Sequence, residues 1–167
     1  DLGATKSHIL IIADAGNVER FIEGGPVNHE AIGYDGLQKG LADVIAKALS
    51  AAGLDAKDIS GSGFGVAGYD WPSEREPILQ MIQTLNLGGI VELVNDCDLG
   101  LLSGSPNGWG VTVVSGTGCN CRGWDESRTR FGRVTGGGYE FGEFAGAVEL
   151  LFMTGRALSY AWTGRGQ

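Results

Sequence analysis

Two glycine-bearing turns and one aspartate have the residue types that phosphate chemistry needs. The first turn, Gly3-Ala4-Thr5-Lys6, stands before an apolar run, and the second, Ser115-Gly116-Thr117-Gly118, stands after one. Small residues let backbone N–H groups approach an anion, and each turn adds a Thr hydroxyl. Asp96 follows another apolar run, where a carboxylate could act as a base. Two such turns could hold a polyphosphate from both sides, so the pattern predicts part of a phosphotransferase that uses ATP.

Composition and charge exclude several classes of protein. Twelve basic and twenty acidic residues give a net charge of −8 over 167 residues, which argues against a nucleic-acid partner. The apolar runs are too short to span a bilayer and no signal-like segment opens the sequence, which predicts a cytoplasmic protein without a membrane partner. The three cysteines are an odd number, and we expect them to be free thiols.

The hydrophobic pattern predicts alternating strands and helices in the first two thirds of the chain. Predicted strands cover residues 7–13, 18–23, 59–67 and 90–94, and predicted helices cover residues 35–52, a segment after residue 73, and residues 97–102. Helix-linked strands imply a mainly parallel sheet, here with an antiparallel hairpin at one edge. We expect one further strand to have been lost before Asp1, so that the chain is part of a longer protein.

A glycine- and serine-rich stretch at residues 103–108 predicts a domain boundary. The expected domains are residues 1–106 and 107–167. The second begins with strands at residues 109–114, 119–124 and 129–134, which repeat the start of the first domain and indicate a duplicated architecture. The segment 144–158 is predicted to be a core helix.

The chain resembles, over nearly its whole length, the N-acetylglucosamine kinase group of the BadF/BadG/BcrA/BcrD ATPase family. The segments that carry the resemblance are Asp1–Lys6, Gly25–His29, Gly65–Asp70, Val94–Asp96, Ser115–Arg122 and Gly136–Gly138. The resemblance implies an α/β fold of the actin, sugar kinase and Hsp70 superfamily. That fold has a ribonuclease-H-like domain with a mixed, mainly parallel sheet flanked by helices, followed here by the start of a second, duplicated domain.

The resemblance also implies roles for individual residues. Asp96 would be the base that takes the proton from the attacking sugar hydroxyl, and Asp1 would help to hold Mg²⁺ through water. The residues implied to bind the ATP phosphates are Gly3, Ala4, Thr5, Lys6, Ser115, Gly116, Thr117 and Gly118. Those implied to bind the sugar, besides Asp96, are Asn28, Cys119, Asn120, Gly137, Gly138 and Glu143.

Structural roles compete with several of these assignments. Asp96 could cap the helix that begins at Cys97, where Asp is common. Asn28 could bond its own backbone, as loop asparagines do. Glu143 could begin the final helix, where a negative charge suits the helix dipole.

The chain departs from the family at one motif. Where the family usually has Gly-Asp-Glu-Gly-Ser, this chain has Gly142-Glu143-Phe144-Ala145-Gly146. Glu143 could supply the family's carboxylate from a longer arm, which leaves the exact sugar open. The adenosine-binding segment of such enzymes would lie beyond residue 167, so we expect the chain to be inactive on its own.

The leading prediction is therefore an ATP-dependent kinase for N-acetylglucosamine or a related amino sugar or hexose, with the sugar and ATP as partners and a homodimer left open. The first alternative is an ATPase that activates a dehydratase or reductase, as other family members do. The second is a ribonuclease-H-like nuclease in which Asp1 and Asp96 bind two metals. The charge of −8 argues against a nuclease.

Overall fold

A computed structural model describes residues 1–166 of the chain. The chain forms two compact units, residues 1–99 and residues 100–167, and each is described by itself. The duplicated-domain organisation expected for residues 1–106 and 107–167 stays a prediction. No helix within residues 1–166 is long and apolar enough to cross a bilayer.

The first unit has a mixed sheet, as the sequence predicted. Strands β1 (Ser7–Ile12) and β2 (Val18–Gly24) form an antiparallel hairpin, and strands β3 (Gly61–Val66) and β4 (Ile90–Asn95) are parallel. The backbone of Leu2 lies between the two pairs, since it forms an antiparallel bridge to Ser7 and a parallel bridge to Val66.

Three helices begin in the first unit: α1 (His29–Ala52), α2 (Arg75–Gln83) and α3 (Asp96–Gly104). The helix predicted from Asp35 is the part of α1 that follows a break at Gly33, and the helical turn before that break was not predicted. Asn28 caps the helix, which is interrupted at Gly33, where φ is 70°. The predicted end is confirmed, because Gly53 adopts a left-handed C-cap at φ 69°.

Helical spacing places one face of α1 against the sheet. Its buried residues are Leu37, Leu41, Val44 and Ala48, all predicted from the period of 3.6 residues. They join a core whose other fully buried side chains include Leu2, Val66, Ile78 and Ile82. Because the core spans β3, α1 and α2, it fixes where the ends of the parallel strands lie.

The second unit begins with an antiparallel meander. Strands β5 (Gly110–Ser115), β6 (Cys119–Trp124) and β7 (Phe131–Val134) pair in that order, which confirms the three predicted strands. Helix α4 spans Ala147–Trp162. The prediction of a core helix is wrong for the described residues, because Glu149 is the only one buried in α4 and Leu151 is 73% exposed.

Candidate functional site

The first turn belongs to the first unit and is a tight loop between Leu2 and β1. The N–H of Gly3 donates to the carbonyl of Lys6 at 3.0 Å. A Cβ at Gly3 would lie 2.7 Å from that same oxygen, so the turn requires glycine. Ala4 and Thr5 are exposed at its tip. The ammonium group of Lys6 lies 3.8 Å from the carboxylate of Glu23.

The carboxylate of Asp1 lies next to His8, which also contacts Glu23. It is 3.4 Å from Nδ1 of His8, whose Nε2 is 3.4 Å from Glu23. Burial lowers the pKa of the Asp1 amino group, while the negative charge of Asp96 acts in the opposite direction. The charge of Asp96 thus acts on the amino group of Asp1.

Asp96 begins α3 at the point where β4 ends, and its neighbour Asn95 holds it there. Asn95 is 1% exposed. Its amide donates to the carbonyl of Tyr69 at 3.1 Å and to Asp70 at 3.3 Å, and its oxygen accepts the N–H of Cys97 at 2.9 Å.

Asp96 caps α3, as the alternative reading of its role predicted, but Asn95 shares this capping role. Oδ1 of Asp96 also accepts the N–H of Cys97 at 2.9 Å, so two side chains serve a single donor. Asp96 remains half-buried. Asn95 was not predicted to make these bonds, although an amide directly after a predicted buried strand was a signal for them.

Asn28 is the N-cap of α1. It is 7% exposed, its Oδ1 accepts the N–H of Glu30 at 2.9 Å, and its Nδ2 lies 3.4 Å from the Glu30 carboxylate. The expectation that Asn28 bonds its own local backbone is thus confirmed. Its role as a sugar ligand stays a prediction.

The second turn belongs to the second unit and closes the hairpin between β5 and β6. Ser115 pairs with Cys119, and the N–H of Gly116 donates to the carbonyl of Gly118 at 2.9 Å. Neither glycine has a positive φ. A Cβ at either one would meet no atom within 4 Å. Neither backbone conformation nor packing within the described residues therefore requires glycine here, and the space above the turn is open to a ligand.

The start of α4 anchors this second turn. The N–H groups of Ala147 and Val148 donate to the carbonyls of Gly116 and Thr117 at 2.9 and 3.2 Å. The hydroxyl of Ser115 donates to the carbonyl of Ala145. N–H groups at a helix start have no partner within the helix, so these bonds satisfy them and hold the turn at the same time.

The segment from Thr135 to Glu143 forms the third part of the predicted site. The carboxylate of Glu143 accepts the N–H of Gly137 at 2.7 Å and that of Thr135 at 3.4 Å. The thiol of Cys119 donates to the carbonyl of Glu143 at 3.7 Å. The structure thus brings together Cys119, Gly137 and Glu143, and it places the Glu143 carboxylate on the glycine loop, before the start of α4.

Asn120 and Gly138 both lie in the second unit. Asn120 is on β6 opposite Val114, and Gly138 is next to Gly137 in the glycine loop. Gly138 has φ 72° and accepts the N–H of Glu143 through its carbonyl at 3.0 Å. No contact in the described structure tests either residue as a sugar ligand, so both assignments stay predictions.

A family model matches nearly the whole chain, and a curated relative can be aligned with all of it. Residues 1–162 match the BadF/BadG/BcrA/BcrD ATPase family. A curated relative, the N-acetylmuramic acid/N-acetylglucosamine kinase of Clostridium acetobutylicum, is 26% identical over 167 residues, which is 100% of this chain and 54% of the relative. The chain thus spans about half the length of the curated relative that it matches.

Solved structures share the fold. A candidate N-acetylglucosamine kinase from Chromobacterium violaceum superposes with a TM-score of 0.75 at 23% identity, over 99% of this chain and 57% of that one. One from Porphyromonas gingivalis gives a TM-score of 0.74 at 20% identity, over 95% and 54% of the two chains. At these identities the likeness establishes the fold, the actin-like α/β architecture expected from the sequence.

Proposed function

The chain belongs to the BadF/BadG/BcrA/BcrD ATPase family, and from that premise we propose that it forms part of an ATP-dependent sugar kinase. The acceptor is a hydroxyl of N-acetylglucosamine or a related amino sugar or hexose. The observation that carries the proposal is the placement of Asp96, a half-buried carboxylate where β4 ends, next to the buried Asn95 whose side chain bonds Tyr69, Asp70 and Cys97.

Asp96 is the general base of the proposed reaction. Phosphoryl transfer needs an orienting base, in-line positioning and stabilisation of charge on the phosphate oxygens, and little else from the protein. Asn95 and Asp96 both accept the N–H of Cys97, so Asp96 is not the sole cap of α3. A positioned base contributes about 10²- to 10⁴-fold to the rate.

The two glycine-bearing turns hold the phosphates in this proposal. The first turn places the exposed residue Thr5 on a loop that requires glycine at position 3. The second turn has open space above Gly116 and Gly118, where a ligand oxygen could approach the backbone. Backbone N–H groups of such turns bind anions well, which supports this assignment.

The residues present fit a magnesium ion. Mg²⁺ prefers oxygen ligands and is usually held by one or two carboxylates together with substrate phosphates. Asp1 supplies such a carboxylate, while residues 1–166 contain no group of three or more His, Cys, Asp or Glu that could cage an ion. When bound, the ion would neutralise charge on the phosphates, and Asp1 is the residue that we assign to hold it.

The sugar assignment rests on the amide side chains and on the relatives. Asn28, Asn120, Cys119 and the Gly137-Gly138 loop are assigned to the sugar, with Glu143 shaping that loop through its bonds to Gly137 and Thr135. The Clostridium acetobutylicum relative is named as a kinase of N-acetylmuramic acid and N-acetylglucosamine. We therefore place N-acetylglucosamine first among the acceptors to be tested.

The test is ADP release by the full-length protein with ATP and Mg²⁺, with and without N-acetylglucosamine, in wild type and Asp96→Asn. We expect sugar-dependent release that falls by at least about 100-fold in the variant. Glu92→Gln is the matched control, because Glu92 is an exposed carboxylate on the same strand and should leave the rate unchanged.

Two outcomes would overturn parts of the proposal. ADP release that ignores every amino sugar and hexose tested would favour the alternative of an ATPase that activates a dehydratase or reductase. Sugar-dependent release that survives Asp96→Asn would keep the kinase and remove Asp96 as its base.

A further inference from the structure

Glu74 is a largely buried carboxylate that the proposed mechanism does not use. It directly precedes α2, and its side chain is 18% exposed. Its Oε2 accepts the N–H of Asp70 and that of Trp71, both at 2.8 Å. Hydrogen bonds to a carboxylate are among the stronger ones in proteins, so Glu74 holds the loop that follows β3.

The other oxygen of Glu74 faces His29, the first residue of α1. Nε2 of His29 lies 3.4 Å from Oε1 of Glu74. Because carboxylate oxygens accept hydrogen bonds, the imidazole is the donor. The His29 side chain is 8% exposed and stacks on Tyr34, with ring centroids 4.8 Å apart and an interplanar angle of 13°. Burial and stacking therefore keep the imidazole next to Glu74.

His29 directly follows Asn28, which the proposed function assigns to the sugar. The loop after β3 packs on Asn28 as well, since Gly68 has φ 79° and a Cβ there would lie 2.8 Å from Oδ1 of Asn28. The N–H of Val27 donates to the carbonyl of Gly3 at 3.2 Å. The position of Asn28 is thus set by the first turn before it and by the loop after β3 beside it.

The same loop is bonded to the residue that precedes the proposed base. The amide of Asn95 donates to the carbonyl of Tyr69 at 3.1 Å and to the carboxylate of Asp70 at 3.3 Å, and Asp96 follows Asn95. The loop is therefore held through N–H groups by Glu74 and through oxygens by Asn95. A continuous series of hydrogen bonds thus joins the start of α1 to the end of β4.

Given the proposed function, on which this inference rests, we propose that Glu74 is a positioning residue for the phosphoryl transfer. By bonding His29 and the loop after β3 at the same time, it aligns Asn28, assigned to the sugar, with Asp96, assigned as the base. Glu74 touches neither substrate in this role. Because a displacement of about 1 Å caused far from the chemistry can lower a rate by about 100-fold, such an alignment affects the reaction without direct contact.

A purely local role of Glu74 makes a different demand on the structure. Its bond to the N–H of Trp71 is that of a capping residue for the short helical turn Pro72–Glu74. Capping of this turn does not involve His29. Replacing His29 therefore separates the positioning role from the capping role.

The experiment measures KM for N-acetylglucosamine and KM for ATP in the full-length protein carrying His29→Phe, Glu74→Gln or both. Phe keeps a ring that can stack on Tyr34 and lacks the donor nitrogen, while Gln keeps the size of Glu and lacks its charge. Glu76→Gln is the matched control, because Glu76 is an exposed carboxylate of α2 that accepts from Gln80. Urea midpoints verify that each variant is folded.

We expect each single variant to raise KM for N-acetylglucosamine by about tenfold, as the loss of a hydrogen bond to a charged group does. The double variant should raise it no further than the larger of the two, because both substitutions remove the same bond. KM for ATP should change by less than about twofold, since the ATP phosphates are assigned to other segments. A general loss of folded protein would not discriminate between the two substrates.

Three results would overturn the proposal. They are an unchanged KM for N-acetylglucosamine in His29→Phe, equal increases in KM for both substrates, and additive effects in the double variant. If Glu74→Gln does not fold, His29→Phe alone decides between the two roles. ADP release by the wild type that depends on no amino sugar or hexose tested is distinguishable from these results, because it would overturn the proposed function and this inference with it.

Discussion

The side-chain amide of Asn95 donates to the carboxylate of Asp70 at 3.3 Å and joins the last residue of β4 to the segment that follows β3. The same amide reaches the carbonyl of Tyr69, and its oxygen accepts from Cys97. Asn95 is almost fully buried, so water cannot replace these partners. The bond between Asn95 and Asp70 therefore fixes the point where β4 ends and α3 begins, at Asp96.

Replacing Asn95 should destabilise the first unit. Asn95→Ala removes the bonds that its amide donates to the carbonyl of Tyr69 and to the carboxylate of Asp70, which we expect to lower the free energy of unfolding by about 1–3 kcal/mol. Urea unfolding measures it. Gln83→Ala, at an exposed position of α2, is the control and should change little. A loss for Asn95→Ala no larger than for Gln83→Ala would show that the bonds carry no net stability.

Two glycines of the second unit form a matched pair for alanine substitution. Gly136 has φ 78°, and a Cβ there would overlap the carbonyl oxygen of Cys119, whereas a Cβ at Gly132 meets nothing within 4 Å. Gly136→Ala should cost about 1–3 kcal/mol through strain, and Gly132→Ala should be near neutral. Thermal unfolding of both variants checks this, and equal melting temperatures would contradict it.

Gly116→Ala separates a role in ligand binding from a role in folding. Since Gly116 has no positive φ and open space around it, the variant should unfold at or slightly above the wild-type urea midpoint. Under the proposed function, the added methyl group obstructs the phosphates and raises KM for ATP in the full-length protein. Gly132→Ala is again the control. An unchanged KM for ATP would remove the second turn from the phosphate site.

Asp125 should make the β6–β7 hairpin sensitive to acid. The N–H of Arg130 and the hydroxyl of Ser127, followed by the N–H of Thr129, lower the pKa of Asp125 from 3.8 to about 2. A lowered pKa in the folded state gives stability that is present above pH 4 and is lost as the pH falls toward 2.

The measurement is the difference in urea midpoint between wild type and Asp125→Asn at pH 7, 4 and 2. We expect the wild type to be more stable at pH 7 and the difference to shrink between pH 4 and pH 2. Glu126→Gln, at the exposed next residue, should show no such trend. If the difference in urea midpoint stays constant from pH 7 to pH 2, the negative charge of Asp125 does not contribute to stability through these hydrogen bonds.

Much of the fold follows from local patterns. The strands and most helix ends lie within a few residues of their predicted positions, because alternation, helical spacing and Gly53 at a C-cap are local signals. The helical turn of α1 before Gly33 was missed because Pro26, His29 and Gly33 have the composition of a loop. Asn28 followed by Glu30 was the capping signal there.

The site was less predictable because its contacts are between segments far apart in sequence. That Glu143 would bond the N–H groups of Thr135 and Gly137 depends on how a glycine loop folds back, which no spacing encodes. The exposure of the apolar residues of α4 was likewise missed, because the helical pattern identifies an apolar face without stating what covers it.

The bonds from Ala147 and Val148 to Gly116 and Thr117 also have a mechanical consequence. They couple the second turn to one end of a rigid rod, since the 16 residues of α4 extend for about 24 Å. A rotation of the turn by about 10° would swing the far end of that rod, at Trp162, through about 4 Å. A small rotation of the second turn would therefore produce a larger displacement of the exposed apolar residues at the far end of α4.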